Sequence, residues 1–152
     1  MFEENKTIAR RLMDEAWSEG KLDVISEVVA SDCHLHDPVF PSLTPGGESL
    51  KRHIQMCRTS FPDLRFTIDD VIAERNEVVI HWTAGGTHRA QFLGMQPTNK
   101  KASVSGTSIY RLHNGKIVEM WSDWNVLTLM EQLGLTVTPK SAEAQRSEVH
   151  RS

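Results

Sequence analysis

The residues of this sequence best suited to proton transfer are histidines, because imidazole titrates near neutral pH. His88 stands beside Gly85-Gly86, a glycine pair that predicts a bulge or bend where the backbone passes around a cavity. His34 and His36 are two residues apart, so a regular strand presents both on one face. His36 and His88 are therefore candidate acid–base residues, and the alternative for His88 is a place on the sheet surface or at a strand end.

The same histidines allow a second hypothesis, a metal site. Two imidazoles on one strand face can bind a metal ion, and Asp37 or His53 would add an oxygen or nitrogen ligand. The spacing offers no clear third ligand, so we favour the alternative in which one histidine lines a pocket and the other lies at its rim. The sequence predicts no metal, and a metal-dependent oxygenase or hydrolase built on His34 and His36 is the weakest hypothesis.

Asp123 is the third candidate for acid–base chemistry. It stands between Trp121 and Trp124, and a carboxyl group buried against indole rings would have a raised pKa, which suits a general acid or base. Side chains alternate along a regular strand, however, so Asp123 and Ser122 face opposite sides of the sheet. A one-residue bulge would be needed to turn Asp123 inward.

The later part of the chain also predicts a pocket wall. Indole, thioether and hydroxyl groups on strands form an apolar surface with few polar points, which suits a planar ligand. The predicted ligand-binding residues are Trp82, Ser108, Met120, Ser122 and Trp124. The alternative for the aromatic residues is that they only fill the hydrophobic core.

Composition excludes several classes of protein. The chain has 152 residues, 39% of them hydrophobic, and a formal net charge of −3, so a nucleic-acid partner is not expected. Its first residues have no signal-peptide pattern, and no apolar run is long enough to span a bilayer, so we expect no membrane partner. Cys33 and Cys57 lack disulfide-framework or zinc-finger spacing and predict reduced thiols in a cytoplasmic protein.

Hydrophobic periodicity places the candidate residues on an α+β framework. Apolar residues recur at helical spacing early in the chain and alternate later, and Asn114-Gly115 predicts a hairpin turn. The predicted helices are 4–19, 22–29, 48–60 and 126–133, and the predicted strands are 33–37, 64–72, 77–83, 101–112 and 116–124. Helices segregated from an antiparallel sheet define the α+β class. We expect one domain at 1–135 and a mobile C-terminal tail at 136–152.

Six short segments, in this order, carry a resemblance to a known family. They are His36-Asp37-Pro38, Phe61-Pro62-Asp63-Leu64, Gly86-Thr87-His88, Gly94-Met95-Gln96-Pro97-Thr98, the segment 111–119 and Glu131-Gln132-Leu133-Gly134. Over about residues 5 to 135, the chain resembles the SnoaL-like polyketide cyclases, which belong to the nuclear-transport-factor-like cone folds.

The resemblance implies a cone-shaped α+β barrel, with three helices from the N-terminal half packed on a curved, mainly antiparallel sheet around an apolar pocket. It also implies ring closure by an intramolecular aldol reaction, with no metal or organic cofactor and with an aspartate on the last long strand as acid and base. The position of that aspartate is Ser122 here. Asn125 and Met120 likewise replace groups that relatives use, whereas His88 and His36 match polar positions of the family.

Two hypotheses of function follow. In the first, the protein is an enzyme that acts on an apolar, carbonyl-bearing small molecule by aldol-type or isomerisation chemistry, with His36, His88 and Asp123 as the acid–base set. In the second, it is a non-catalytic binding protein of the same fold, since Ser122 stands in the position of the catalytic aspartate. Relatives of this fold often pack their sheets back to back, so the predicted partners are a small-molecule ligand and further copies of the chain, as a homodimer or higher homo-oligomer.

Overall fold

The helices and strands follow the order that the periodicity predicts. The computed structural model describes residues 2–136 and Pro139, and within them four α-helices accompany one five-stranded sheet. The helices are α1 (Phe2–Arg11), α2 (Asp23–Val28), α3 (Gly47–Ser60) and α4 (Val126–Gln132), and the strands are β1 (Val29–His36), β2 (Arg65–Glu74), β3 (Glu77–Thr87), β4 (Lys101–His113) and β5 (Lys116–Trp124). The tail predicted at 136–152 lies, apart from Thr136 and Pro139, outside the described residues.

The sheet joins the long antiparallel strands to one parallel strand. The strand order is β1-β5-β4-β3-β2. Only β1 and β5 run parallel among these neighbours, with His36 beside Trp121. This arrangement confirms the predicted α+β class and the mainly antiparallel sheet. No helix among the residues that the model describes is long and apolar enough to cross a membrane.

The first helix differs from the continuous helix predicted at 4–19. After α1 the chain continues as a π-helical segment, Leu12–Ser18, which is wider than an α-helix and is often found at functional sites. Leu12, Met13 and Ala16 of this segment are buried in the core. Trp17 lies against Phe66 of β2, with ring centroids 5.3 Å apart.

One arginine joins the elements around this segment. Nη1 of Arg58, near the end of α3, donates to the carbonyl oxygens of Trp17 at 2.7 Å, Ser18 at 3.0 Å and Leu64 at 3.0 Å. Carbonyls at a helix end have no partner within the helix, so a cation there is favourable. Arg58 therefore fixes the end of the π-helical segment against α3 and the start of β2.

Of the bulge or bend predicted at Gly85-Gly86, the bulge is wrong. Strand β3 keeps a regular register with β4 through both glycines, and the irregularity of this region lies in β2, between Ile68 and Asp70. The glycine at position 86 instead permits a close approach, because a Cβ there would lie 3.0 Å from the Cβ of Phe61.

A second glycine makes room for an indole. Gly106 of β4 pairs with Trp82 of β3, and the six-membered ring of Trp82 covers the place where a Cβ at position 106 would stand. The same Cβ would also lie 2.8 Å from the Cβ of Trp124. Trp82 can therefore lie flat across β4 only because residue 106 has no side chain.

We expect Gly106→Ala to lower the free energy of unfolding by about 1–3 kcal/mol, the usual cost of inserting a methyl group into a packed core. Gly85→Ala is the matched control, because its Cβ would meet only the carbonyl oxygen of Ala102 at an ordinary 3.5 Å. Urea unfolding followed by far-UV circular dichroism measures both variants. Equal midpoints for Gly106→Ala and Gly85→Ala would contradict the close approach of Trp82.

Candidate functional site

A pocket lies between the inner face of the sheet and the helices. Its volume is about 120 Å³, comparable with the roughly 150 Å³ engineered cavity that binds benzene. The π-helical segment and α3 form one wall, and β3, β4 and β5 form the other. The lining is mainly apolar and aromatic, and its polar side chains include Asp37, His53, Ser108, Tyr110 and Ser122. A mainly apolar cavity with a few polar groups is the usual form of a small-molecule site.

The alternation of side chains on the strands decides which residues line the pocket. On β5, Met120, Ser122 and Trp124 face inward, and on the neighbouring strands Ser108 and Trp82 do so. All five residues predicted to bind the ligand therefore border the same cavity.

Three of these side chains form a hydrogen-bonded chain. Nε1 of Trp82 donates to Oγ of Ser108 at 2.9 Å, and Oγ of Ser108 lies 2.9 Å from Oγ of Ser122. Ser108 is 2% exposed and Trp82 is 4% exposed. Buried polar groups in native proteins are normally hydrogen-bonded, and this chain satisfies the indole while carrying a polar contact to the pocket surface.

A carboxylate enters the pocket from the loop after β1. Nε1 of Trp124 donates to Asp37, 3.3 Å from Oδ1 and 3.2 Å from Oδ2, and the backbone N–H of Val39 donates to Oδ1 at 2.9 Å. Burial raises the pKa of Asp37 above its ordinary value, although these hydrogen bonds act in the opposite direction. Within residues 2–136, Asp37 is the one carboxylate that lines the pocket. Its raised pKa suits an acid or base.

A neutral imidazole stands on the opposite wall. His53 of α3 is 9% exposed and lies edge-on to Phe40 and Trp17, with ring centroids 4.6 Å and 5.8 Å away. Its Nε2 is 3.9 Å from the Sγ of Cys57. Burial lowers the pKa of His53 to about 4, because the surroundings offer little to stabilise its charge. At neutral pH His53 is therefore an uncharged hydrogen-bonding group inside the pocket.

His88 is buried but lies behind the pocket wall rather than in it. The residue is 0% exposed and stacks on Phe61, with ring centroids 5.4 Å apart. The backbone N–H of Thr98 donates to its Nδ1 at 3.2 Å, so the ring hydrogen belongs on Nε2, which has no partner within the described residues. His88 holds the loop between β3 and β4, and the structure does not bring it to the pocket surface.

The other two predicted acid–base residues have their side chains on the outer face of the sheet. His36 borders the pocket, but its imidazole stacks on Trp121 and lies 2.7 Å from Glu119. Asp123 is exposed. Because the pairing of β5 with β4 is regular from Glu119 to Trp124, there is no bulge that would turn Asp123 inward. The structure therefore does not bring the side chains of His36, His88 and Asp123 together.

The surroundings of His34 and His36 do not support the metal hypothesis. In the part of the chain that is described, no three His, Cys, Asp or Glu side chains are grouped as metal ligands. Both histidines are exposed, and Nε2 of His36 is engaged with the carboxylate of Glu119 at 2.7 Å.

Asp37 and His53 are the pocket residues to which sequence reasoning gave no role beyond optional metal ligands. A signal for His53 was present, because it belongs to the helical stripe formed with Leu50, Ile54 and Cys57 on α3. Asp37 carried no such signal. It follows the end of β1, and its place beside Trp124 depends on how the loop folds back over β5.

The chain belongs to the SnoaL-like polyketide cyclases, since the model of that family matches residues 7–133. No curated protein matches the sequence.

Solved structures support the same fold. TsrD from Streptomyces laurentii is 21% identical, with a TM-score of 0.80 over 87% of this chain and 96% of its own. AclR from Streptomyces galilaeus, a candidate hydroxylase, is 24% identical, with a TM-score of 0.78 over 99% of this chain and 94% of its own. IdmH from Streptomyces antibioticus, a candidate polyketide cyclase, is 28% identical, with a TM-score of 0.74 over 86% of this chain and 99% of its own. These structures carry more than one assigned chemistry, so the fold alone does not decide the reaction.

The lowered pKa of His53 predicts a pH-dependent stability. Its ordinary pKa is 6.5 and its folded value is about 4, so between these values the unfolded chain binds more protons. The contribution of His53 is fully present above pH 6.5 and is lost as the pH falls towards 4, by an amount on the order of 3 kcal/mol.

His53→Phe keeps a ring in the same space and removes the titrating group, so we expect a flatter dependence of unfolding free energy on pH between 4 and 6.5. Urea titrations at several pH values measure the difference between variant and wild type, which cancels the other titrating groups. Parallel curves for the two proteins would contradict the burial of an uncharged His53.

Proposed function

We propose that this protein binds an apolar, carbonyl-bearing small molecule in the pocket and catalyses proton transfer at the carbon next to that carbonyl, with Asp37 as the base. The observation that carries the proposal is the half-buried carboxylate of Asp37 at the wall of an apolar pocket. Membership of the polyketide cyclase family supports a ligand of this class. The proposal uses neither a metal nor an organic cofactor.

The surroundings of Asp37 suit this role. Desolvation raises its pKa, so the carboxylate is more basic than it would be in water. The indole N–H of Trp124 and the backbone N–H of Val39 hold it in one orientation. In the reaction, Asp37 takes the proton from the carbon, and the electron pair of the C–H bond moves into an enolate.

The enolate is then consumed without any further reactant. It can attack a second carbonyl of the same molecule, which forms the carbon–carbon bond of an aldol product, and the new alkoxide takes up the proton. Alternatively, Asp37 returns the proton to another carbon, which gives an isomer. The uncharged His53 lines the same pocket and supplies a hydrogen-bonding group for a developing oxyanion.

We expect wild-type protein to accelerate hydrogen–deuterium exchange at C1 of 2-tetralone, an apolar ketone with acidic C–H bonds, and Asp37→Asn to reduce the enzyme-dependent rate about 100-fold or more. Proton NMR in D₂O measures exchange, with equal unfolding midpoints as the test of folding. Asp123→Asn is the comparison variant, because Asp123 is the acid–base carboxylate that the sequence predicts. If exchange stops in Asp123→Asn and continues in Asp37→Asn, the role assigned to Asp37 is wrong.

The second candidate function is binding without catalysis. Its support is Ser122, which occupies the inward position on β5 that the resemblance gives to the catalytic aspartate. The exchange experiment separates the two candidates. Saturable binding of 2-tetralone, with no acceleration of exchange by the wild type or by either variant, would favour the binding protein.

We also propose that the protein forms a homodimer through the outer face of the sheet. An apolar row crosses this face, because Ile72, Val79, Ile109 and Trp121 pair directly in successive strands. Ile72 is 58% exposed, and the other three are partly exposed. A continuous apolar row on an exposed face is typical of an interaction surface, and the same face on a second copy complements it by two-fold symmetry.

Ile109→Glu would place a carboxylate at the centre of the apolar row, so we expect it to convert the dimer to a monomer. Gln55→Glu on the exposed side of α3, away from the outer face of the sheet, is the control and should leave the mass unchanged. Sedimentation velocity measures the mass of each protein. A monomeric wild type, or a dimer that survives Ile109→Glu, would contradict this interface.

We further propose a cytoplasmic location. Cys33 and Cys57 are both free and buried, and burial raises the pKa of each thiol to about 12. Free thiols without disulfides among the described residues are typical of a reducing compartment.

A further inference from the structure

We propose that Ser122 presents its hydroxyl hydrogen to the pocket, as the last donor of the chain Trp82→Ser108→Ser122, and so selects a ligand oxygen that can only accept. The inference rests on the proposed function and assigns one residue a role within it. The ligand group it specifies is the carbonyl oxygen, or the enolate oxygen formed from it. Ser122 is then a specificity-determining residue, distinct from the base Asp37.

The indole of Trp82 sets the donor–acceptor direction of this hydrogen-bonded chain. The Nε1–H of Trp82 is a donor only, so Ser108 must accept along the 2.9 Å bond between them. Both residues are buried, so the bond is not exchanged for one to bulk water. One lone pair of Ser108 is therefore committed.

The direction in which the Ser108 hydroxyl hydrogen points follows from its remaining neighbours. Apart from the indole of Trp82, the hydrogen-bond partner of the Ser108 hydroxyl within the described residues is Ser122. The indole nitrogen cannot accept, and the hydrogen of a buried hydroxyl such as that of Ser108, which is 2% exposed, is normally paired. The oxygen 2.9 Å away is Oγ of Ser122, so the Ser108 proton is directed along that bond.

Ser122 is left with a hydrogen of its own. Among the described residues its Oγ has one hydrogen-bond partner, Ser108, from which it accepts. The residue is half-buried and borders the cavity. A hydroxyl that accepts one hydrogen bond becomes a better donor of the next, because successive bonds polarise one another. The free hydrogen of Ser122 is thus a strengthened donor at the pocket surface.

The pocket carboxylate and the second indole cannot supply such a donor. The second indole N–H at the wall, that of Trp124, is already bonded to Asp37, and an ionised carboxylate only accepts. A ligand carbonyl therefore cannot bond to Asp37, whereas it matches Ser122. Ser122 therefore binds the carbonyl oxygen, and Asp37 takes the proton from the neighbouring carbon.

The test compares 2-tetralone with tetralin, the hydrocarbon of similar shape that lacks the oxygen. Isotope-edited infrared spectroscopy of 2-tetralone labelled with ¹³C at the carbonyl reports the hydrogen bond directly. We expect a lower carbonyl stretching frequency in wild type than in Ser122→Ala. Ligand-observed NMR should show a three- to tenfold loss of 2-tetralone affinity in Ser122→Ala, as for one hydrogen bond, with tetralin affinity unchanged. Ser122→Thr, which keeps the hydroxyl, should restore the frequency.

Each other outcome overturns a defined part of the proposal. If wild type binds both compounds and Ser122→Ala changes neither the frequency nor the ketone affinity, Ser122 is not a donor and only this inference fails. If Ser122→Ala weakens both compounds equally, the residue acts through packing, and again only this inference fails. If folded wild type binds neither compound, the proposed apolar ligand site fails, and the role of Ser122 fails with it.

Discussion

Burial of polar side chains around the pocket is the constraint on which the site depends. The same desolvation raises the pKa of Asp37, lowers that of His53 to about 4 and raises that of Tyr110 to about 12. Each shift favours the uncharged form, as expected where charge is poorly solvated. Polar groups persist in such surroundings only with hydrogen-bond partners, which explains why Trp82 and Trp124 each donate to a neighbour. The indoles are therefore structural supports as well as apolar surface.

Regular strand register gives the sheet two different faces. Because β4 and β5 pair without a slip from Gly106–Trp124 to Arg111–Glu119, Ser122 faces the pocket and Asp123 faces outward. The inner face carries the polar chain, and the outer face carries the apolar row from Ile72 to Trp121. A shift of one residue in β5 would exchange these sets of side chains. The proposed ligand binding and the proposed self-association thus depend on the same register.

Much of the fold could be predicted from the sequence, because it rests on local patterns. Alternation on β5 puts Ser122 and Asp123 on opposite faces of the sheet, and turn residues such as Asn114-Gly115 predict the β4–β5 hairpin that the structure contains. The chemistry of the site was less accessible. Asp37 reaches the pocket only through its long-range bond to Trp124. His88 has a suitable residue type and local sequence, but its loop folds it behind Phe61. Such placements are set by packing between distant segments, which periodicity does not encode.

The distribution of tryptophan has a spectroscopic consequence. Of the four tryptophans in the chain, Trp17, Trp82 and Trp124 border the pocket and Trp121 does not. Three of the four tryptophan fluorophores therefore lie at the wall of the cavity. A molecule that enters the pocket would change the polarity around these indoles, whereas the proposed association through the outer face would act on Trp121. The protein thus carries its own fluorescent label for occupancy of the pocket.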